Sequence, residues 1–262
     1  MLEVIAPVMK NQIEPVLRDE AERILDACEE AGVEVRLLGG LAIQISLAER
    51  IDPAFARTPG DIDLIASREH CSRFESLIEE LGWSPERQFN ALNGARRLLF
   101  RDPGDPERKI DGFIDAFEMC HKLPLVDRFP THTRLLSPAD LLLTKLQIIE
   151  LNSKDRNDCY ALLVGFPVTA GDGPDVISAG WIAELLARDW GLNHTVELNL
   201  DRLTDQAAAT GLGDAKLEGI YGAIETLRTA ITEAPKSRGW KMRARIGERK
   251  KWYEEPEEVD RD

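Results

Sequence analysis

A chain of 262 residues, 43% hydrophobic and 31% charged, is long enough for a buried core and has an ordinary globular balance. Its formal net charge of -14 excludes a surface that embraces nucleic acid on all sides, because phosphate contacts supply most non-specific affinity. No apolar run reaches the length of a membrane span, and Cys28, Cys71, Cys120 and Cys159 form no Cys-x-x-Cys pair, which predicts reduced thiols in a cytoplasmic protein.

The first residues, Met1 to Lys10, carry no basic region ahead of their short apolar stretch, so no targeting peptide is expected. Ile13, Val16, Leu17, Ala21, Ile24, Leu25 and Cys28 recur at helical spacing and predict an amphipathic helix ending near Gly32. Val33 to Leu38 alternates as a half-buried strand does, and Leu41 to Leu47 returns apolar residues at helical spacing. Gly39 and Gly40 therefore sit at a strand-to-helix corner. Glycines there let the backbone approach a ligand, and the free N–H groups of the helix start, Leu41 included, suit a phosphate.

Asp61 and Asp63 follow in a predicted strand, Asp-Ile-Asp-Leu-Ile-Ala. Residues two apart in a strand share a face, which puts the carboxylates roughly 7 Å apart at Cα, repelling each other unless a cation lies between them. Oxygen-only ligation suits Mg²⁺. A phosphate seat beside a divalent-metal seat points to nucleotide chemistry.

Ser67 is placed to cap a helix with Phe74, Leu77, Ile78 and Leu81 on one face. Asn93-Gly94 between Arg87–Leu92 and Ala95–Arg101 is a strong hairpin signal, and residues 102–106 turn the chain into a strand running from Lys109 to Phe117. Ser137-Pro138-Ala139-Asp140 reads as a capping box with proline at the first helical position. In the helix it opens, Lys145 has apolar neighbours and either snorkels to solvent or is held for a ligand. Ser153 can cap the next helix, which carries Asp155 and Asp158. Residues 165–176 are turn-rich and mark a boundary; beyond them lie helical patterns and a densely charged stretch from Lys236 to Asp262, read as a docking helix or partly ordered tail. Arg96, Arg97 and Arg101, or Lys241 to Lys251, offer local basic strips, with solvated surface as the plainer account.

Other chemistries have little support. His70-Cys71 and Cys120-His121 do not match zinc-ligand spacings. There is no Gly-x-Ser-x-Gly, no Gly-x-Gly-x-x-Gly and no Gly-Lys-Ser/Thr loop.

A strand, Gly-Gly, a helix and then Asp-x-Asp resembles the nucleotidyltransferase superfamily with the DNA-polymerase-beta palm fold. With Arg57-Thr58-x-x-Asp61-Ile62-Asp63-Leu64 and the later Leu-Leu-Leu-Thr-Lys-Leu helix, the pattern is similar to the nucleotidyltransferase toxins of type IV abortive-infection systems, over about Leu37 to Leu163. The resemblance implies an α+β fold: a mixed, mostly antiparallel sheet with flanking helices, followed by a helical C-terminal part. The chain as a whole is read as a nucleotidyltransferase core (1–130), a helical domain (131–235) and a charged tail (236–262). The resemblance further implies two Mg²⁺ ions on Asp61, Asp63 and a third carboxylate that also takes the acceptor's proton, Asp111 by its apolar-Asp setting or Asp115 as the alternative; both acids can also be ordinary strand-end residues. Gly39, Gly40, Leu41 and Lys145 would hold a nucleoside triphosphate such as ATP, and Asp155 or Asp158 resembles a later motif acid. The acceptor would be a tRNA end, a protein hydroxyl or a small cationic molecule, with an antitoxin protein as partner if the chain is a toxin. A silent nucleotide- or partner-binding module on the same fold is the alternative.

Overall fold

The computed structural model describes residues 15–256. The first helix, α1 (Pro15–Glu30), buries Leu17, Ala21, Ile24, Leu25 and Cys28, the face its spacing predicts, while Val16 turns outward. Ile13, assigned to the same face, and the tail beyond residue 256 lie outside the described residues. The chain then runs β1 (Val35–Leu38), α2 (Gly39–Leu47), β2 (Asp61–Ala66), α3 (Cys71–Glu80), β3 (Ser84–Pro85), α4 (Arg87–Asn93), β4 (Arg97–Asp102) and β5 (Asp105–Ile114). Five strands form one sheet in the order β1-β2-β5-β4-β3. Every pairing is antiparallel except β2 with β5, so the sheet is mixed and mostly antiparallel, as expected.

After β6 (Phe117–Glu118) and β7 (Lys122–Leu123), a short antiparallel pair, the chain becomes helical: α5 (Pro138–Leu146) and α6 (Ser153–Gly165). The turn-rich stretch that follows contains β8 (Val168–Thr169), which pairs with β9 (Ile177–Ser178) in parallel. Then come α7 (Ala179–Leu186), α8 (Trp190–Gln206), α9 (Asp214–Glu233) and α10 (Arg238–Ile246). Buried apolar side chains from Leu17 to Ile231 make a single contiguous core under the sheet helices and the C-terminal helices. Among the described residues no helix is long and apolar enough to cross a membrane.

Three local expectations are corrected. Arg87–Leu92 is helix, not strand, and Gly94 has ordinary right-handed backbone, so Asn93-Gly94 does not close a hairpin. Asn90 explains the outcome: its carboxamide accepts from Leu99 N–H at 2.7 Å and donates to Leu99 C=O at 3.2 Å, standing in for the peptide of a neighbouring strand. The strand expected to reach Phe117 stops at Ile114, because Asp115 takes a positive φ of 66°. The α6 cap is Asn152, whose side chain accepts from Lys154 and Asp155 N–H, rather than Ser153. At α5 the Ser137 cap and the proline at the helix start stand as read. The charged stretch docks as far as Glu254: Trp252 Nε1 donates to Thr195 Oγ1 at 3.1 Å and Glu254 N–H to Cys120 C=O at 3.0 Å.

Candidate active site

The site lies where β1 ends, α2 begins and the neighbouring strands β2 and β5 run side by side. Strand register decides who meets whom. Asp63 is opposite Leu38 on β1 and opposite Asp111 on β5, while Asp61 is opposite Lys109. Side chains at matching positions of paired strands leave the same face, so Asp61, Asp63 and Asp111 share one face next to the α2 start.

Gly39 has φ +70°, a conformation glycine adopts without strain. A Cβ there would fall on the Asp63 carboxylate, and a Cβ on Gly40 would fall on the Arg57 guanidinium. The two glycines thus leave room for an acid on one side and a cation on the other. Leu38, at the N-cap, offers no side-chain acceptor, so the first N–H groups of α2 are not capped from within.

Arg57 comes from the segment between α2 and β2. That segment is pinned by Gln44, fully buried on α2, which accepts from Arg57 N–H and donates to Phe55 C=O, both at 3.4 Å. The guanidinium then pairs in bidentate fashion with Asp158 of α6, Nε to Oδ1 at 2.9 Å and Nη2 to Oδ2 at 2.7 Å. Lys145 of α5 reaches the same acid: its Nζ lies 3.1 Å from Asp158 Oδ2 and 2.8 Å from Asp155 Oδ1. Asp158 has a fully buried side chain and holds both cations in place. Burial opposes the charge on Lys145, but Asp158, then Asp155, and also Asp63 raise its proton affinity above the ordinary lysine range. Arg57 responds in the same way, with burial outweighed by Asp158, Asp155 and Asp63. Adjacent glycines bring the two sides together, Gly39 against the Asp63 carboxylate and Gly40 against the Arg57 guanidinium.

On the carboxylate face charge is in excess. Burial, followed by the Asp111 and Asp61 charges, pushes the Asp63 carboxyl up to about 7, against the pull of Lys145 and Lys109. Asp61 has a loose partner, Lys109 Nζ at 3.3 Å, with both side chains about a third exposed or more. Asp111 is different. Its Oδ1 accepts from Arg97 Nε at 2.7 Å and its Oδ2 from Arg97 Nη2 at 2.5 Å, with only 4% of Asp111 and 8% of Arg97 exposed.

Hard oxygen donors with surplus negative charge fit a divalent cation on Asp61 and Asp63. Arg97 occupies one position on each Asp111 oxygen, and among the described residues no group of three His, Cys, Asp or Glu is arranged to hold a metal. Asp115, the alternative third acid, leaves the site: it lies past the end of β5 and accepts from Arg68 N–H at 2.7 Å and Arg68 Nε at 2.6 Å. Of Asp155 and Asp158, left as alternatives in sequence, both are used. Arg97, Lys109 and the double role of Asp158 had no signal in spacing, since each depends on which strands and helices become neighbours.

A glycine pair thus opens a helix beside acids on two adjacent strands, with a lysine and an arginine joined by Asp158 close by. Residues 11–146 match the family model described as uncharacterised nucleotidyltransferase, and the chain belongs to that family. Among solved structures, it is similar to the antibiotic-resistance factor ANT(2'')-Ia in complex with adenylyl-2''-tobramycin: 16% identity, 80% of this chain and 98% of that chain covered, TM-score 0.38. An antigenic nucleotidyltransferase-like protein from Paracoccidioides brasiliensis is similar at 13% identity, over 86% of this chain and 96% of that chain, with a TM-score of 0.43. No curated protein matches the sequence.

Proposed function

We propose that the chain moves a nucleoside monophosphate from a nucleoside triphosphate to an acceptor hydroxyl, in a Mg²⁺-dependent reaction. The observation that carries this reading is Asp63, which lies against Gly39 of the α2 start, next to Asp111, and within electrostatic reach of Lys145 and Arg57. The first turn of α2, with Gly39, Gly40 and Leu41, receives the phosphates. Lys145 and Arg57 stand across from it and stabilise the charge that grows on the departing pyrophosphate.

Asp61 and Asp63 would hold Mg²⁺, which when bound polarises phosphoryl oxygens and lowers the proton affinity of an oxygen nucleophile. The acceptor oxygen bonds to the α-phosphorus, the bond to the pyrophosphate oxygen breaks, and the hydroxyl proton leaves toward the carboxylate face of β2 and β5. Asp111 and Asp115 both turned away from Asp61 and Asp63 would favour a silent nucleotide-binding module on the same fold; the place of Asp111 opposite Asp63 supports turnover instead.

Acceptor candidates are a tRNA end, a protein hydroxyl and a small cationic molecule, the last matching the charge of -14. A toxin role, with an antitoxin partner, goes with the first. Calorimetric titration of each nucleoside triphosphate with Mg²⁺, on the native chain and on Asp61→Asn/Asp63→Asn, tests the site. Saturable, metal-dependent binding lost in the double variant supports the reading; binding that survives it refutes it. Labelled triphosphate offered with each acceptor class then identifies the product.

A further inference from the structure

The grip of Arg97 on Asp111 bears on how many cations the site takes. A guanidinium never loses its charge under ordinary conditions, and its planar fork matches a carboxylate with two parallel hydrogen bonds. Arg97 makes that match, Nε to Oδ1 at 2.7 Å and Nη2 to Oδ2 at 2.5 Å. Its guanidinium carbon lies 5.6 Å from the Phe89 ring centre and 5.4 Å from that of Phe113, so aromatic faces brace it as well. Phe89 is on α4 and Phe113 on β5, and Arg97 itself is opposite Phe113 in the β4–β5 register. Both partners are buried, and separating a buried, bidentate ion pair is a strongly unfavourable exchange.

Lys109 on Asp61 forms a contrasting pair. It is single and longer, at 3.3 Å, and its side chain is 32% exposed against 10% for Arg97. An exposed lysine on a flexible stem yields to an incoming ion; a buried, braced arginine does not.

We infer that Arg97 is a resident counter-cation that keeps Asp111 out of metal ligation, so that the nucleotide-loaded site takes one divalent cation, on Asp61 and Asp63, and not two. Arg97 is then a positioning residue: it fixes Asp111 beside Asp63 and supplies permanently the positive charge a second ion would bring. The inference rests on Asp61 and Asp63 as the metal seat.

Mn²⁺ is titrated into the native chain saturated with a non-hydrolysable ATP analogue, and bound ions are counted from the loss of the free-Mn²⁺ resonance. One Mn²⁺ per chain is expected, unchanged in Asp111→Asn. Arg97→Gln, which releases Asp111, is expected to bind two, and Arg97→Lys to return toward one. Two Mn²⁺ on the native chain overturn the inference and leave the metal seat standing. A native chain that binds none overturns both. If Arg97→Gln fails to fold, the native and Asp111→Asn counts still decide, because loss of an ion in Asp111→Asn would show that Asp111 is a ligand.

Discussion

Gly39 lies against Asp63 so closely that a single methyl group on it would occupy the place of the Asp63 carboxylate. The strand pairing that sets Leu38 opposite Asp63 brings the two together, and the positive φ of Gly39 turns the chain into α2 at that point. Gly39→Ala therefore forces the acid aside and strains the backbone, at about 1 kcal/mol or more for the left-handed conformation alone. Nucleoside triphosphate binding, followed by calorimetry, is expected to fall at least as far as in Asp63→Asn. Circular dichroism would show the fold retained. Binding equal to that of the native chain would mean that the α2 start is not the phosphate seat.

Asp63 itself is held in a conflict that a cation would relieve. Its folded pKa of about 7 lies above the usual carboxylate value, so the stability this residue gives is full at low pH and declines as pH rises through the interval from about 4 to 7. Asp63→Asn removes the decline. In chelator at pH 8 the variant should melt higher than the native chain, while Mg²⁺ should raise the native melting temperature and leave that of the variant unmoved. A variant that melts lower in chelator would contradict the charge excess on this face.

How much of this was legible in the residues follows from the range of the forces. The Gly-Gly corner and the Asp-x-Asp pair are local: period two and a strand-to-helix junction place them, and the structure joins them as read. Ser137 and Pro138 are equally local, and their cap is present. Arg87–Leu92 failed because the Asn90 carboxamide, bonded to Leu99, satisfies the strand edge from a helix, a substitution no pattern of apolar residues records. Asp111 and Asp115 could not be separated in sequence, since both fall on even spacing; the positive φ at Asp115 and its pairing with Arg68 separate them. Arg97 overturns its reading as part of a basic strip or solvated surface. As one of three arginines near a strand it looked like surface, and only the β4–β5 pairing turns it inward onto Asp111.

Asp158 is expected to be the most sensitive position outside the carboxylate face. It is fully buried and its oxygens hold Arg57 and Lys145 at 2.7 and 3.1 Å. Removing one partner from a buried ion pair typically costs about 3–5 kcal/mol, because the charge left behind is not compensated. Asp158→Ala should thus lower the melting temperature strongly and abolish triphosphate binding. Asp155→Ala leaves Lys145 its bond to Asp158 and should cost less on both counts. Equal losses in the two variants would show that Asp158 does not organise the cations.

His121 gives a pH signature in the opposite sense to that of Asp63. It is buried, and its Nε2 lies 2.8 Å from Thr195 Oγ1, which also accepts from Trp252 Nε1. With the hydroxyl oxygen already accepting from the indole, its proton is free to be donated to Nε2, which suits a neutral imidazole. Burial pushes the His121 pKa down to about 4, so between about 4 and 6.5 the unfolded chain binds a proton that the folded chain does not. Stability is full above that window and is lost as pH falls through it, by up to about 1.4 kcal/mol per pH unit for one group. Because the Asp63 contribution runs the other way over part of the same interval, the native profile alone mixes the two. Denaturant midpoints for native, His121→Gln and Asp63→Asn chains at pH 5 and pH 7 separate them. Acidification should cost His121→Gln less stability than the native chain and Asp63→Asn more, and a His121→Gln profile parallel to the native one would show that the imidazole does not titrate on unfolding.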